Sequence, residues 1–247
     1  MRSVTLAGAV CAGLVVSLAG CGGGDDAAAD PDKGTNGVGK LSPGKIEKRA
    51  LKAARGAKAV RLSGTVVSKG HTYRLDMRLK EGGGTGQLTA KDRTFELLRS
   101  GDELYLKADA AFWADQQGGA QPSKGDSVAS KLDDKYVKVP TGDPSYKQFS
   151  GFTDKNVLLD GLLGLHGRLA TGDRGSVDGV RTIRVSAGKG SGGTLDVSLE
   201  GTPYPLRLQR AGGAGTLRLG DWNKDFSAEA PDREHVLDYG QQIPGTG

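Results

Sequence analysis

Apolar and polar residues alternate with a period of two through most of the chain after residue 59. The stretch "AVRLSGTVV" sets Val60, Leu62 and Val66 on one side, with Gly64 between them. "HTYRLDMRLK" sets Tyr73, Leu75, Met77 and Leu79 against Thr72, Arg74, Asp76 and Arg78. "TGQLTA", "TFELLRS" and "DELYLKA" follow, the last bringing Leu104 and Leu106 to one side, and the short gaps hold Gly, Lys or Asp. Strict alternation across short gaps predicts an antiparallel meander with one dry and one wet face. The pattern returns in "SVDGVRTIRVSAG", "GTLDVSLEG", "YPLRLQRAG" and "GTLRLGDW", through Ile183/Val185, Leu195/Val197/Leu199, Leu206/Leu208 and Leu217/Leu219. Turn signals at this spacing give about nine to eleven strands.

Helical patterns gather at the start and middle. "SPGKIEKRALKAARGAKAV" has a capping Ser42, Pro43 in the first turn, and a weak apolar face of Ile46, Ala50, Leu51, Ala54 and Ala57. Lys45, Lys48, Arg49, Lys52 and Arg55 occupy its other side, which suits either a solvated face or contact with anionic headgroups. "DAAFWADQQ" predicts a helical turn carrying Phe112 and Trp113, and "SVASKLDDKYVKVP" a short helix and then a strand over 136–139. In "TDKNVLLDGLLGL" Val157, Leu158, Leu159, Leu162, Leu163 and Leu165 cover much of a helix circumference. That element should be buried, with Thr153 or Asp154 as its cap. Strands in runs with segregated helices make this an α+β fold on one curved sheet. No linker composition divides the halves, so residues 44–247 form a single domain.

The first residues belong to another class. Arg2 precedes an apolar run from Val4 to Val16, and small residues lead to Cys21. Residues 1–20 therefore predict an export signal. The order Leu18-Ala19-Gly20-Cys21 resembles a bacterial lipobox. That resemblance implies a diacylglyceryl thioether on the Cys21 sulfur, cleavage before it, and a lipid-anchored protein on the extracytoplasmic face of the cell membrane. An uncleaved anchor is the alternative, although the run is short for a span. Residues 21–43 hold Gly, Asp, Ala, Pro, Lys and Asn with little apolar bulk, which predicts a flexible tether.

Composition narrows the chemistry. Both cysteines fall within the first 21 residues, so no disulfide framework holds the body together. The net charge of +5 is mild and does not mark a nucleic-acid binder. The spacing Gly34, Gly39, Lys40 imitates a phosphate loop, but Leu41 stands where Ser or Thr would hold magnesium, and no strand precedes it. The three histidines, His71, His166 and His235, share no element at metal-ligand spacing. No Gly-x-Ser-x-Gly elbow occurs. The expectation is a protein with no catalytic residues, metal or cofactor.

The element order resembles the LppX/LprAFG family of actinobacterial lipoproteins, related in fold to the LolA/LolB carriers. The lipobox, "VRLSGTV", "ELYLKADAAFW", "LDDKYVKVP", "FTDKNVLLDGLLG", "VDGVRTIRVS" and "YPLRLQR…GTLRLGDW" carry the likeness. The resemblance implies a half-open antiparallel barrel with helices across its concave face. It also implies an apolar cavity for acyl chains of lipids or lipoglycans, serving lipid transport in the envelope. In this sequence the lining would come from Leu62, Val66, Leu75, Met77, Leu104, Leu106, Phe112, Trp113, Val157, Leu158, Leu162, Leu163, Ile183 and Val185. A packed interaction or sensor module with an envelope protein partner is the rival reading, because the same alternation describes a filled core.

Overall fold

A computed structural model describes residues 31–68, 70–116, 131–238 and 240. The predicted meanders form one sheet of twelve strands, one more than the top of the expected range. The first meander comprises β1 (Ala59–Ser68), β2 (His71–Lys80), β3 (Gly83–Ala90), β4 (Arg93–Ser100), β5 (Glu103–Ala108) and β6 (Tyr136–Val139). The second comprises β7 (Leu169–Val177), β8 (Val180–Ala187), β9 (Thr194–Ser198), β10 (Pro205–Gln209) and β11 (Thr216–Gly220). They join where β1 pairs antiparallel with β11, Leu62 lying opposite Leu219. The additional strand, β12 (Val236–Asp238), lies parallel to β6 at the edge. Three residues are too few to show alternation, so no pattern announced it. The sheet is large, open and curved, with β12 and β7 at its two edges.

Alternation places one residue set on each face. Across the strands, Leu62 meets Met77 and Leu219, Leu75 meets Leu88, and Leu97 meets Leu106. These side chains form one continuous core reaching Ile183, Val185, Leu195 and Val197. Each fully buried Leu contributes roughly 1.5–3 kcal/mol through apolar area removed from water. The opposite face is polar and charged. There Asp196, 3% exposed, accepts hydrogen bonds from Arg184 Nε at 2.8 Å and Arg207 Nε at 2.6 Å, tying β8, β9 and β10 together. A small second cluster, Leu98, Tyr105 and Ala228, sits on this side under the segment leading to β12.

Among the described residues, four helices pack on the apolar face: α1 (Pro43–Gly56), α2 (Ala110–Gln116), α3 (Pro144–Thr153) and α4 (Lys155–Leu162). Topology requires α3 and α4 to be there. β6 lies beside one edge of the sheet and β7 forms the other, so the chain between them must cross the whole face. The helix expected over "TDKNVLLDGLLGL" is α4, and Asp154 is its cap, accepting from the N–H groups of Asn156 at 3.0 Å and Val157 at 2.9 Å. α3 was not expected. Its cap is Asp143, which accepts from Ser145 N at 2.8 Å, with Pro144 in the first turn. Ser42 precedes α1 as expected but makes no side-chain cap bond.

Two glycines in β3 set how closely neighbouring backbone approaches, Gly84 from the helix layer and Gly86 from β2. A Cβ on Gly84 would stand 2.7 Å from the Thr153 carbonyl oxygen, so the junction of α3 and α4 rests directly on the strand. Gly86 has φ +154°, and a Cβ there would stand 2.1 Å from the Asp76 carbonyl oxygen. Glycine is thus structural inside the sheet as well as in its turns.

The compact body begins at Gly34, ahead of the expected domain start. Residues 34–43, expected to be tether, are fixed to it. The Asn36 amide donates to the carbonyls of Ser198 at 3.0 Å and Gly201 at 3.1 Å, and Val38 is 1% exposed in the core. One anchoring Asn and one buried Val suffice where composition alone indicates a linker. The phosphate-loop imitation becomes a short 3₁₀ turn over Val38–Lys40.

Candidate functional site

Fourteen apolar positions were expected to line a cavity, and the structure divides them. Leu62, Leu75, Met77, Leu104, Leu106, Trp113, Leu163, Ile183 and Val185 are at most 2% exposed and lie in the packed core. Phe112 is buried with them, its ring 5.4 Å from that of Phe95. Val66, Val157, Leu158 and Leu162 come together at an open space. Cys21 lies outside the described residues.

That space is a groove of about 280 Å³ between α3, α4 and the adjoining ends of β1 and β2. Val66 of β1 lies opposite Tyr73 of β2, and the Tyr73 ring packs 6.1 Å from Phe152 of α3. Leu158 and Leu162 of α4 form the facing wall. Two glycines, Gly151 of α3 and Gly161 of α4, border the groove, and a Cβ on either would meet nothing within 4 Å. Val157 stands at the rim and is 59% exposed, the one large hydrophobic side chain so exposed among the described residues. The expectation of a helix buried all round is therefore corrected at Val157. α4 rests on the sheet through Leu158, Leu159 and Leu162, which leaves the Val157 side to the groove.

Arg210, just after β10, closes one end of the groove. Its Nη1 donates to the Val67 carbonyl at 3.1 Å. Beyond it lies a smaller hollow of about 110 Å³ bordered by Asp160, Gly164, His166 and Ala211, sharing Gly161, Leu162 and Arg210 with the groove. Asp160 is occupied by Arg55 of α1, 2.8 Å away.

Polar contacts fix the wall in place. Lys155, 4% exposed, donates from Nζ to the Arg55 carbonyl and the Asn156 side chain, both at 2.9 Å. It thereby satisfies a carbonyl at the end of α1 and joins α1 to α4. Burial lowers its pKa. Asp154 is held below the usual carboxylate range, first by the Val157 main-chain N–H, although partial burial opposes this, and then by Arg99 at 3.2 Å.

Two polar hollows lie elsewhere, of about 230 Å³ beside Arg61 and Asp221 and about 310 Å³ beside Glu96 and Asp134. Their charges pair within the protein, as in Arg61–Asp76, Lys224–Asp221 and Lys107–Asp134. The three histidines are exposed. Among the described residues, the one group spaced to hold a metal is Asp232, Glu234 and His235, fully at the surface, where acidic groups are common without an ion. No described helix is long and apolar enough to cross a membrane.

Among solved structures, LprF from Mycobacterium bovis aligns over 76% of this chain and 96% of its own, with 18% identity and a TM-score of 0.51. The chain has the LprF fold. The Mycobacterium tuberculosis lipoprotein LppX also matches, over 74% of this chain and 96% of its own, with 17% identity and a TM-score of 0.41. No protein-family model matches the chain, and no curated protein matches it significantly. The LprF fold accounts for the open curved sheet with helices on its apolar face, which the order of strand and helix patterns had already indicated. The positions that open the groove were harder to anticipate. Gly151 and Gly161 carry no periodic signal, and Arg210 lies far in sequence from every other lining residue.

Proposed function

We propose that the protein is an envelope lipoprotein that shelters part of an apolar ligand, such as a lipid acyl chain, in the groove beneath α4. The anchor is Cys21, and the domain acts by binding and transfer without covalent chemistry. The sheet and its covering helices then serve as a half-barrel of the LolA/LolB kind. The observation that carries this reading is an apolar groove of about 280 Å³ rimmed by exposed Val157. That volume is near the lower end for ligand pockets, about 300–1,000 Å³. It suits part of one chain better than a whole multi-chain lipid.

The rival, a packed interaction module, draws support from the tight core beneath the helices. The two readings diverge in native mass spectrometry of the full chain carrying Cys21→Ser, purified without detergent and then exposed to envelope lipids. Lipid binding requires an added mass that extracts into organic solvent. It also requires that Gly161→Trp abolish the added mass, because the new ring would occupy the groove without displacing any atom within 4 Å of its Cβ. A bare mass under both conditions would favour the interaction module.

A further inference from the structure

Several arginines that lie half-buried in this fold pair with acids. Arg61 pairs with Asp76, Arg99 with Asp154, and Arg184 and Arg207 share Asp196. Arg210 is also half-buried, yet the one side-chain hydrogen bond it makes within the described residues goes to the Val67 carbonyl. A guanidinium carries five N–H donors and cannot lose its charge in a protein. It stands where the apolar groove meets the smaller polar hollow. The other charges bordering that junction are Asp160 and its partner Arg55, which cancel, so Arg210 leaves the junction with a surplus of one positive charge.

We propose that this junction is an end-group site: the groove takes a single alkyl chain and Arg210 binds the anionic group that terminates it. The proposal rests on the groove reading above and adds the ligand's class, an amphiphile with one chain in the groove and a carboxylate or phosphate at its end. Both anions match the planar fork of a guanidinium, which binds their paired oxygens bidentately. The partial burial of Arg210 strengthens the attraction relative to open water. The neighbouring hollow of about 110 Å³ gives the anion room beside the guanidinium without displacing Leu162. The exposed rim at Val157 provides the route for the chain.

The test uses the full chain with Cys21→Ser and three probes of equal chain length: dodecanoate, monododecyl phosphate and uncharged dodecanol. Each is titrated below its micelle concentration against bound Nile red, a neutral fluorophore. The wild type should bind both anions more tightly than dodecanol. Arg210→Gln keeps a donor for Val67 and removes the charge. It should weaken both anions about tenfold or more, the scale of a charge-assisted hydrogen bond, and leave dodecanol unchanged. Arg210→Lys should recover part of the loss. A carboxylate-only effect would identify a fatty-acid-like end, and a phosphate-only effect a phospholipid-like one; either supports the site. If all three probes bind and Arg210→Gln weakens them equally or not at all, the end-group proposal fails while the groove stands. If no probe binds the wild type and Gly161→Trp changes nothing, the groove reading fails and takes the end-group site with it.

Discussion

Replacing Gly84 with Ala tests whether the junction of α3 and α4 rests on bare backbone. Gly84 does not have a positive φ, so alanine meets no backbone strain, and the effect comes from contact alone. The added Cβ would stand 2.7 Å from the Thr153 carbonyl oxygen, 2.8 Å from Leu79 Cδ2 and 3.2 Å from Thr153 Cα. Ordinary contact begins near 3.4 Å, so the junction or the strand must move by about 0.7 Å. Neither neighbour yields easily: one is main chain, and Leu79 is 0% exposed. Overpacking of this kind costs about 1–3 kcal/mol. Against it, alanine reduces the entropy of the unfolded chain, worth about 0.4–1 kcal/mol. The net expectation is a loss of about 1–2 kcal/mol. Urea unfolding should show it as a lower midpoint with an unchanged slope. Gly220→Ala is the control, since a Cβ there meets nothing within 4 Å. It should leave stability unchanged or slightly raised. Equal stabilities for the two variants would refute the close seating of the helices on β3.

Two further perturbations probe the site's supports. Asp154 is more acidic in the folded protein than in the unfolded chain, so its contribution is full above the unfolded carboxylate pKa and is lost as pH falls through the lower folded value. Asp154→Asn keeps a capping oxygen and removes the charge, so it should cost about 0.5–1 kcal/mol near neutrality, the scale of a charge at a helix N-terminus beside a partly exposed arginine, and the difference from wild type should shrink below about pH 4 in pH-dependent thermal melts. A gap that stays undiminished as pH falls from 5 to about 2 would contradict the assignment. On the far face, Asp196→Ala leaves Arg184 and Arg207 without their shared acid. The cost should be about 2 kcal/mol by urea unfolding, below the 3–5 kcal/mol of a wholly buried pair because both arginines are partly exposed.

What the sequence makes legible follows from what a periodic pattern can encode. Alternation gave the strands of both meanders and the apolar face, since each position reports only which side of a sheet it takes. Helix α4 was visible from Val157 to Leu163, but apolar residues all around it could not reveal that Val157 faces out. Asp143-Pro144 is a legible start for α3, a cap followed by a first-turn proline, but no strong apolar period follows it to mark a helix. The fixing of residues 34–43 depends on Asn36 reaching carbonyls at Ser198 and Gly201, a match of single groups across the chain. The groove depends on two glycines and an arginine that meet only in three dimensions.

The pairing of β1 with β11 has a consequence for how the protein comes into being. Within each meander every strand pairs with its sequence neighbour, and apart from β5 with β6 these contacts close short loops and form early. The seam joins Arg61 to Gly220 and Gly64 to Leu217, and its loop spans nearly the whole body. The entropy of that closure makes it the late step of folding. The groove takes Val66 and Tyr73 from the first meander and Arg210 from the second. A newly made chain therefore lacks the Arg210 end of the groove until its two halves have met, and the complete site arises only with the closing of the sheet.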